Sequence, residues 1–293
     1  MLWLGEIMAL GCAFSWAVAV LLFRNIGPID ARGLNLFKNT AAVVLLLITM
    51  AVLGRHFDWH RTARDWWLLA GSAVLGITIG DSLFFAGLQR IGANLAAVTD
   101  CVYAPIVVAL SVVVLHEPLT HGLLWGAPLV AAGLVVVTWP KLGAAPVDRL
   151  GVAYAIGGVL ATAVGVVMAK PVLERSDLVE ATTIRLAVAA LTLVPIQLAT
   201  GRLRLTLALF KPQPLWRKML PAVVVGPYVS MLLWLGGLKY APVSRVALLN
   251  QMATVFLLLL SRFVGGEVVP KRRWFGASLA LAGALCVLTG CTR

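Results

Sequence analysis

Apolar residues run in ten blocks along this 293-residue chain, each closed off by a short polar or basic stretch. The blocks fall at 3–23, 34–53, 67–88, 94–115, 122–139, 151–170, 181–199, 218–238, 242–263 and 273–290. A helix needs about 20 apolar residues to cross the hydrocarbon core, and only a backbone bonded within itself is tolerated there. Each block therefore predicts a transmembrane α-helix. The longest polar connections, 54–66, 140–150 and 200–217, are too small to fold as soluble domains, so the function lies in the bundle.

The pattern also repeats. At an offset of 150 residues, Gly87, Leu88, Ala97, Leu110, Ser111 and Glu117 reappear as Gly237, Leu238, Ala247, Leu260, Ser261 and Glu267. Gly126 and Gly133 return as Gly276 and Gly283, and Gly5, Ala9, Gly11 and Ala17 match Gly151, Ala155, Gly157 and Ala163 at an offset of 146. One membrane unit is used twice, as repeats 1–145 and 146–293 with five spans each. An odd number of spans forces the second copy to enter from the opposite face. The expected architecture is an all-α polytopic membrane protein, ten transmembrane helices arranged as two inverted five-helix repeats about a pseudo-two-fold axis in the membrane plane.

Composition agrees: 61% of residues are hydrophobic, 12% are charged and the mean hydropathy is +0.95, values incompatible with a water-facing globule. Glu6 stands where a signal peptide would be cationic and no cleavage signal follows, so the first span is expected to remain as a helix. The net charge of +12 sits at helix ends and in loops, which points to lipid headgroups and topology and away from nucleic acid. Cys12, Cys101, Cys286 and Cys291 lie scattered in apolar stretches and read as small buried hydrophobes.

Enzyme signatures fail on inspection. His116-Glu117-Pro118-Leu119-Thr120-His121 has the wrong histidine spacing for a zinc protease, and Pro118 interrupts the helical turn. His56 and His60 stand four apart, but in a polar loop beside Trp59 and Arg61, and no metal site is expected. Without a phosphate-cradling glycine loop, ATP is not the drive, and no cofactor is expected. Transport, if it occurs, runs on a gradient.

The informative residues are polar groups inside apolar spans, where a charge costs about 2.5–3.5 kcal/mol on insertion scales. Asp100 lies within span 4, and the repeat aligns it with Asn250 in span 9. The two either flank a central site for a proton, a cation or a substrate, or serve as an interfacial cap and interhelical glue. Thr99, Tyr103 and Gln251 fit both readings. Asp81 sits mid-span opposite the apolar repeat partner Met231, so symmetry does not require it; a structural pair with Lys or Arg is the alternative to a functional role.

Lys38 and Arg185 open spans 2 and 7 at equivalent repeat positions. Either they snorkel to the interface or they capture a carboxylate or phosphate on a substrate. Trp16, mid-span with Thr162 as its partner, can wall a cavity, whereas Trp66, Trp67, Trp139, Trp216 and Trp274 lie at span ends where indoles belong. Pro227 removes a backbone donor in span 8 and predicts a kink that leaves an acceptor near residue 223 unpaired.

Each half ends in a helix, an acidic loop and a small-residue helix: Glu117, Gly126 and Gly133, then Glu267, Gly276 and Gly283. This pattern, over all ten spans, resembles the EamA family of the drug/metabolite transporter superfamily. The resemblance implies a ten-helix bundle with cytoplasmic termini, whereas the excess of Lys and Arg after odd-numbered spans places the termini outside. The family's orientation is taken here. Many relatives export amino acids or related compounds, so the expected function is a secondary transporter, an exporter of small organic metabolites, in a bacterial inner membrane. The competing readings are a multidrug or lipid-linked exporter, and a non-transporting intramembrane enzyme or assembly subunit. Expected partners are a small-molecule substrate and membrane lipid. Because one chain holds both units, a monomer suffices in principle and a dimer stays compatible.

Overall fold

The computed structural model describes residues 3–24, 26, 31–139, 148–266 and 268–289, and no strand occurs among them. Ten long helices follow one another: α1 (Leu4–Arg24), α2 (Ala31–Val52), α3 (Ala63–Gly92), α4 (Leu95–Leu115), α5 (His121–Thr138), α6 (Arg149–Arg175), α7 (Leu178–Ala199), α8 (Trp216–Tyr240), α9 (Val243–Phe263) and α10 (Lys271–Thr289). The first nine are long and apolar enough to cross a membrane; α10 opens on Lys271, Arg272 and Arg273, which lowers its average hydropathy. A short surface helix, Leu203–Ala208, lies in the connection between α7 and α8.

Local chemistry sets the boundaries. Thr62 and Thr120 cap α3 and α5, and the carboxylates of Asp148 and Asp177 accept two backbone N–H groups each at the starts of α6 and α7. His116 ends α4 in the left-handed conformation, at φ 55°.

Packing follows a two-fold logic. α3 lies along α6 while its repeat counterpart α8 lies along α1, and α4 touches α6 as α9 touches α1. α2 meets its counterpart α7, α4 meets α9 and α5 meets α10, so exchanging the halves reproduces the arrangement. With five helices per half, this is the inverted duplication expected from the pattern of spans.

The α5/α10 crossing shows why small residues recur there. A Cβ on Gly126 would stand 2.6 Å from the Gly283 carbonyl oxygen, and one on Gly133 would stand 2.6 Å from that of Gly276. Lipid tails supply no hydrophobic drive for helices to associate, so contact depends on such close backbone approach.

Candidate functional site

Four helices depart from regular geometry, at matching positions. α3 carries a widened π-helical turn over Val74–Ile79, and α8 carries one over Val224–Ser230. The expected kink at Pro227 thus takes the form of a π-turn, which lets the helix absorb the missing donor. In α3 the same device occurs without a proline. α4 is interrupted between Asp100 and Tyr103, and α9 between Asn250 and Ala253. The two breaks touch: the Gln251 side-chain amide donates to the Asp100 carbonyl at 3.1 Å.

These irregular turns surround a cavity of about 310 Å³. Asp81, Asp100, Tyr103, Trp16, Lys38, Arg185, Asn250 and Gln251 all line it, so every cavity residue named from the sequence lies at one place. Its lining is paired by the repeat: Gly76 with Gly226, Ile77 with Pro227, Phe84 with Trp234, Asp100 with Asn250, Lys38 with Arg185, and Trp16 with Thr162. Asp81 faces the same space as its apolar counterpart Met231.

Polar partners are unequally shared. Lys38 Nζ stands 3.7 Å from Asp81 Oδ2 and 5.9 Å from the centre of the Trp16 ring, so it forms an intramembrane pair instead of snorkelling. Arg185 does not snorkel either: it is 1% exposed, and Nε, Nη1 and Nη2 have no hydrogen-bond partner among the described residues. Tyr103 OH, Trp234 Nε1 and Asn250 Oδ1 are likewise buried without partners. Asn250 is therefore not holding helices together through its carbonyl. Cys12 Sγ and Ser230 Oγ lie 3.3 Å apart.

Ion pairs tie the two halves on the membrane face where α1, α3, α5, α7 and α9 begin. Arg61 pairs with Glu180 at 2.7 Å, Arg55 with Asp177 at 3.4 Å, and Arg245 with Glu6 at 3.1 Å. Glu6 is thus buried in an ion pair and not simply solvated. Arg175 also pairs with Asp65 across the halves, and within the second half Lys170 Nζ donates to the carbonyls of Leu238 and Ala241 at 2.6 and 2.9 Å. On the other face the described residues provide the Arg90–Asp148 pair at 3.1 Å and a hydrogen bond from Arg272 to the Trp139 carbonyl. Lys38 and Asp81, the more accessible charges, lie toward that second face, and Arg185 lies toward the first.

Phe84, Phe85, Trp234 and Ser230 line the cavity but carry no sequence signal of their own. Applying the repeat offset to every mid-span residue would have linked Phe84 to Trp234. Among the repeat-motif residues, Glu117 reaches across to α9, where the Val243 and Ser244 N–H groups donate to it. Glu267 lies outside the described residues, as does Cys291. His56 and His60 sit in the loop before α3, and no group of three or more His, Cys, Asp or Glu that could hold a metal occurs among the described residues.

Two inverted five-helix units closed around one cavity, with helices broken at it, have the architecture of a membrane transporter. The EamA-like transporter family model matches residues 3–139 and again 149–289, and the chain belongs to that family. It is 23% identical over 296 residues to an uncharacterized transporter of Synechocystis sp., covering 92% of this chain and 84% of that one. A solved crystal structure aligns with a TM-score of 0.78 at 19% identity, over 96% of this chain and 95% of the other, a likeness of fold. The protein is an integral, multi-pass membrane transporter.

Proposed function

We infer that this transporter is a secondary exporter of small organic metabolites such as amino acids, working by alternating access of its two inverted repeats in a bacterial inner membrane. The observation that carries the reading is the pair of helix breaks after Asp100 and Asn250, facing one cavity at the junction of the halves. Irregular backbone at membrane depth is tolerated where it lines such a cavity, and it presents carbonyl groups to a ligand or coupling ion. Asp100 is the group for coupling or recognition, since it lines the cavity and makes no ion pair among the described residues.

Ion pairs between the halves, such as Arg61–Glu180 and Arg245–Glu6, are contacts that a rocking cycle would break and remake. We read no enzymatic role. The cavity's nucleophilic groups, Cys12 and Ser230, lie against each other and not against a base.

The test is uptake of a mixed amino-acid and metabolite panel by liposomes holding the purified protein, with and without a pH gradient, for wild type and Asp100→Asn. Saturable uptake of one class by wild type, with the gradient dependence lost in the variant, is the expected result. Competition among chemically unlike cargo would instead favour a multidrug exporter. No uptake of anything by folded protein would overturn the transport reading.

A further inference from the structure

Arg185 is the largest side chain among those wholly buried in the described structure, and all three guanidinium nitrogens lack a partner. A guanidinium keeps its charge at any physiological pH and carries five donors. Leaving such a group dry and unpaired is among the most costly arrangements a fold can hold. At 1% exposure the side chain does not reach the interface.

The duplication explains why Arg185 is alone. Its counterpart Lys38 has a counter-ion on α3, Asp81. The repeat position matching Asp81 is Met231, on α8, so the second half withholds the carboxylate that the first half supplies. Two further donors in the cavity, Tyr103 OH and Trp234 Nε1, are buried without acceptors, and Tyr103 is within electrostatic reach of Arg185. Phe84, Phe85 and Ile77 form an apolar part of the wall, and Asp100, Asn250 and Gln251 a polar part.

We propose that Arg185 is the anion-binding subsite of the cavity and takes the carboxylate of a small organic acid with a ring-sized apolar body. The guanidinium supplies the counter-charge in a forked geometry, and Tyr103 and Trp234 supply further donors nearby. A monoanion fits better than a dianion such as phosphate, because Lys38 is already paired with Asp81 and the cavity also holds the carboxyl group of Asp100, which leaves Arg185 as the one lining cation without an ion-pair partner among the described residues. The aromatic wall takes the body. The proposal deepens the transporter reading and rests on it only for the claim that the bound acid is cargo.

The experiment uses full-length protein in detergent, with the fluorescence of the cavity residues Trp16 and Trp234 as readout. Phenylacetate, its neutral isostere phenylacetamide and inorganic phosphate are titrated in turn. Phenylacetate is expected to give a saturable change, with the amide and phosphate at least about tenfold weaker, as loss of a charged, forked hydrogen bond implies. Arg185→Gln is expected to weaken phenylacetate by about 10- to 100-fold while leaving the melting temperature unchanged or raised, since an unpaired buried charge has been removed. Arg185→Lys is expected to retain part of the preference for acid over amide.

Equal binding of acid and amide, no saturable response in wild type, or an unchanged phenylacetate affinity in Arg185→Gln each overturns the proposal. Should Arg185→Gln fail to fold, Met231→Asp provides an internal counter-ion at the position equivalent to Asp81 and is expected to abolish phenylacetate binding; retained binding overturns the proposal. Uptake of labelled phenylacetate into liposomes separates the two readings. Binding without uptake of any cargo defeats the transporter reading and leaves the subsite standing, whereas uptake of other cargo with no acid preference does the reverse.

Discussion

Glu117, on the loop after α4, accepts the backbone N–H of Val243 at 2.6 Å, and its second carboxylate oxygen takes the N–H and hydroxyl of Ser244 at 3.0 and 2.6 Å. Val243 is the first residue of α9, and Pro242 before it has no side-chain oxygen with which to cap the helix. The first half thus caps a helix of the second, where a negative charge also suits the positive end of the helix dipole.

Glu117→Ala is expected to cost about 1–3 kcal/mol, because buried donors at the start of α9 lose their acceptor. Glu117→Gln, which keeps an acceptor, should cost less, and Ser244→Ala less again. Thermal unfolding in detergent checks the order; an unaltered melting temperature in Glu117→Ala would show that the cap is energetically idle.

Arg61 and Glu180 are each 4% exposed at the side chain; Arg61 Nη1 also donates to Ser176 Oγ and Glu180 Oε1 accepts the Asp58 N–H, while Arg61 Nε has no partner among the described residues. Removing one partner strands the other charge, so Glu180→Ala is expected to destabilise by about 3–5 kcal/mol. The double variant Arg61→Met, Glu180→Met should recover much of that loss. A double-mutant cycle with additive costs would contradict this.

Lys38 and Asp81 should be coupled in the same sense but more weakly, since Asp81 keeps 30% of its side-chain surface. Lys38→Met and Asp81→Met are each expected to lower stability, and together to cost less than their sum by about 0.5–3 kcal/mol. Melting temperatures of the four proteins measure the coupling.

Gly133→Leu places a side chain where a Cβ alone would sit 2.6 Å from the Gly276 carbonyl oxygen. Backbone cannot yield as a flexible side chain can, so a loss of about 1–3 kcal/mol is expected, as for overpacked cores. The conservative surface change Leu285→Ala on α10, where Leu285 is exposed, serves as control. Similar melting temperatures for the two variants would refute close packing as the basis of this crossing.

Asp148, exposed at the start of α6, has its carboxyl held below the ordinary value, first by the Gly151 N–H and next by the Arg90 side chain. A depressed pKa stabilises the fold above the unfolded value of about 3.9 and loses that contribution as pH falls through the folded value. The stability difference between wild type and Asp148→Asn should therefore be present at neutral pH and shrink on acidification below about pH 4. A difference that stays constant across that range would exclude the linkage.

Much of the fold was legible because hydropathy is a local property: spans announce themselves one at a time, and a fixed offset of 150 exposes the duplication. Asp81, Asp100, Lys38 and Arg185 stood out for a related reason, since a charge in hydrocarbon has few places to go. Phe84, Phe85 and Trp234 did not, because an aromatic residue within an apolar span offers no contrast. Nor did the cap by Glu117, whose acceptor role depends on a partner 126 residues away.

The sequence by itself determined the solvent, the ten spans and the inverted duplication, because each depends on composition and periodicity within short stretches. Tertiary structure alone decided which polar groups are satisfied. Lys38 and Arg185 occupy equivalent places in the two repeats, yet one meets Asp81 at 3.7 Å and the other has no hydrogen-bond or ion-pair partner among the described residues. The energy of a buried charge is governed by distances across helices, and those exist only once the halves have packed.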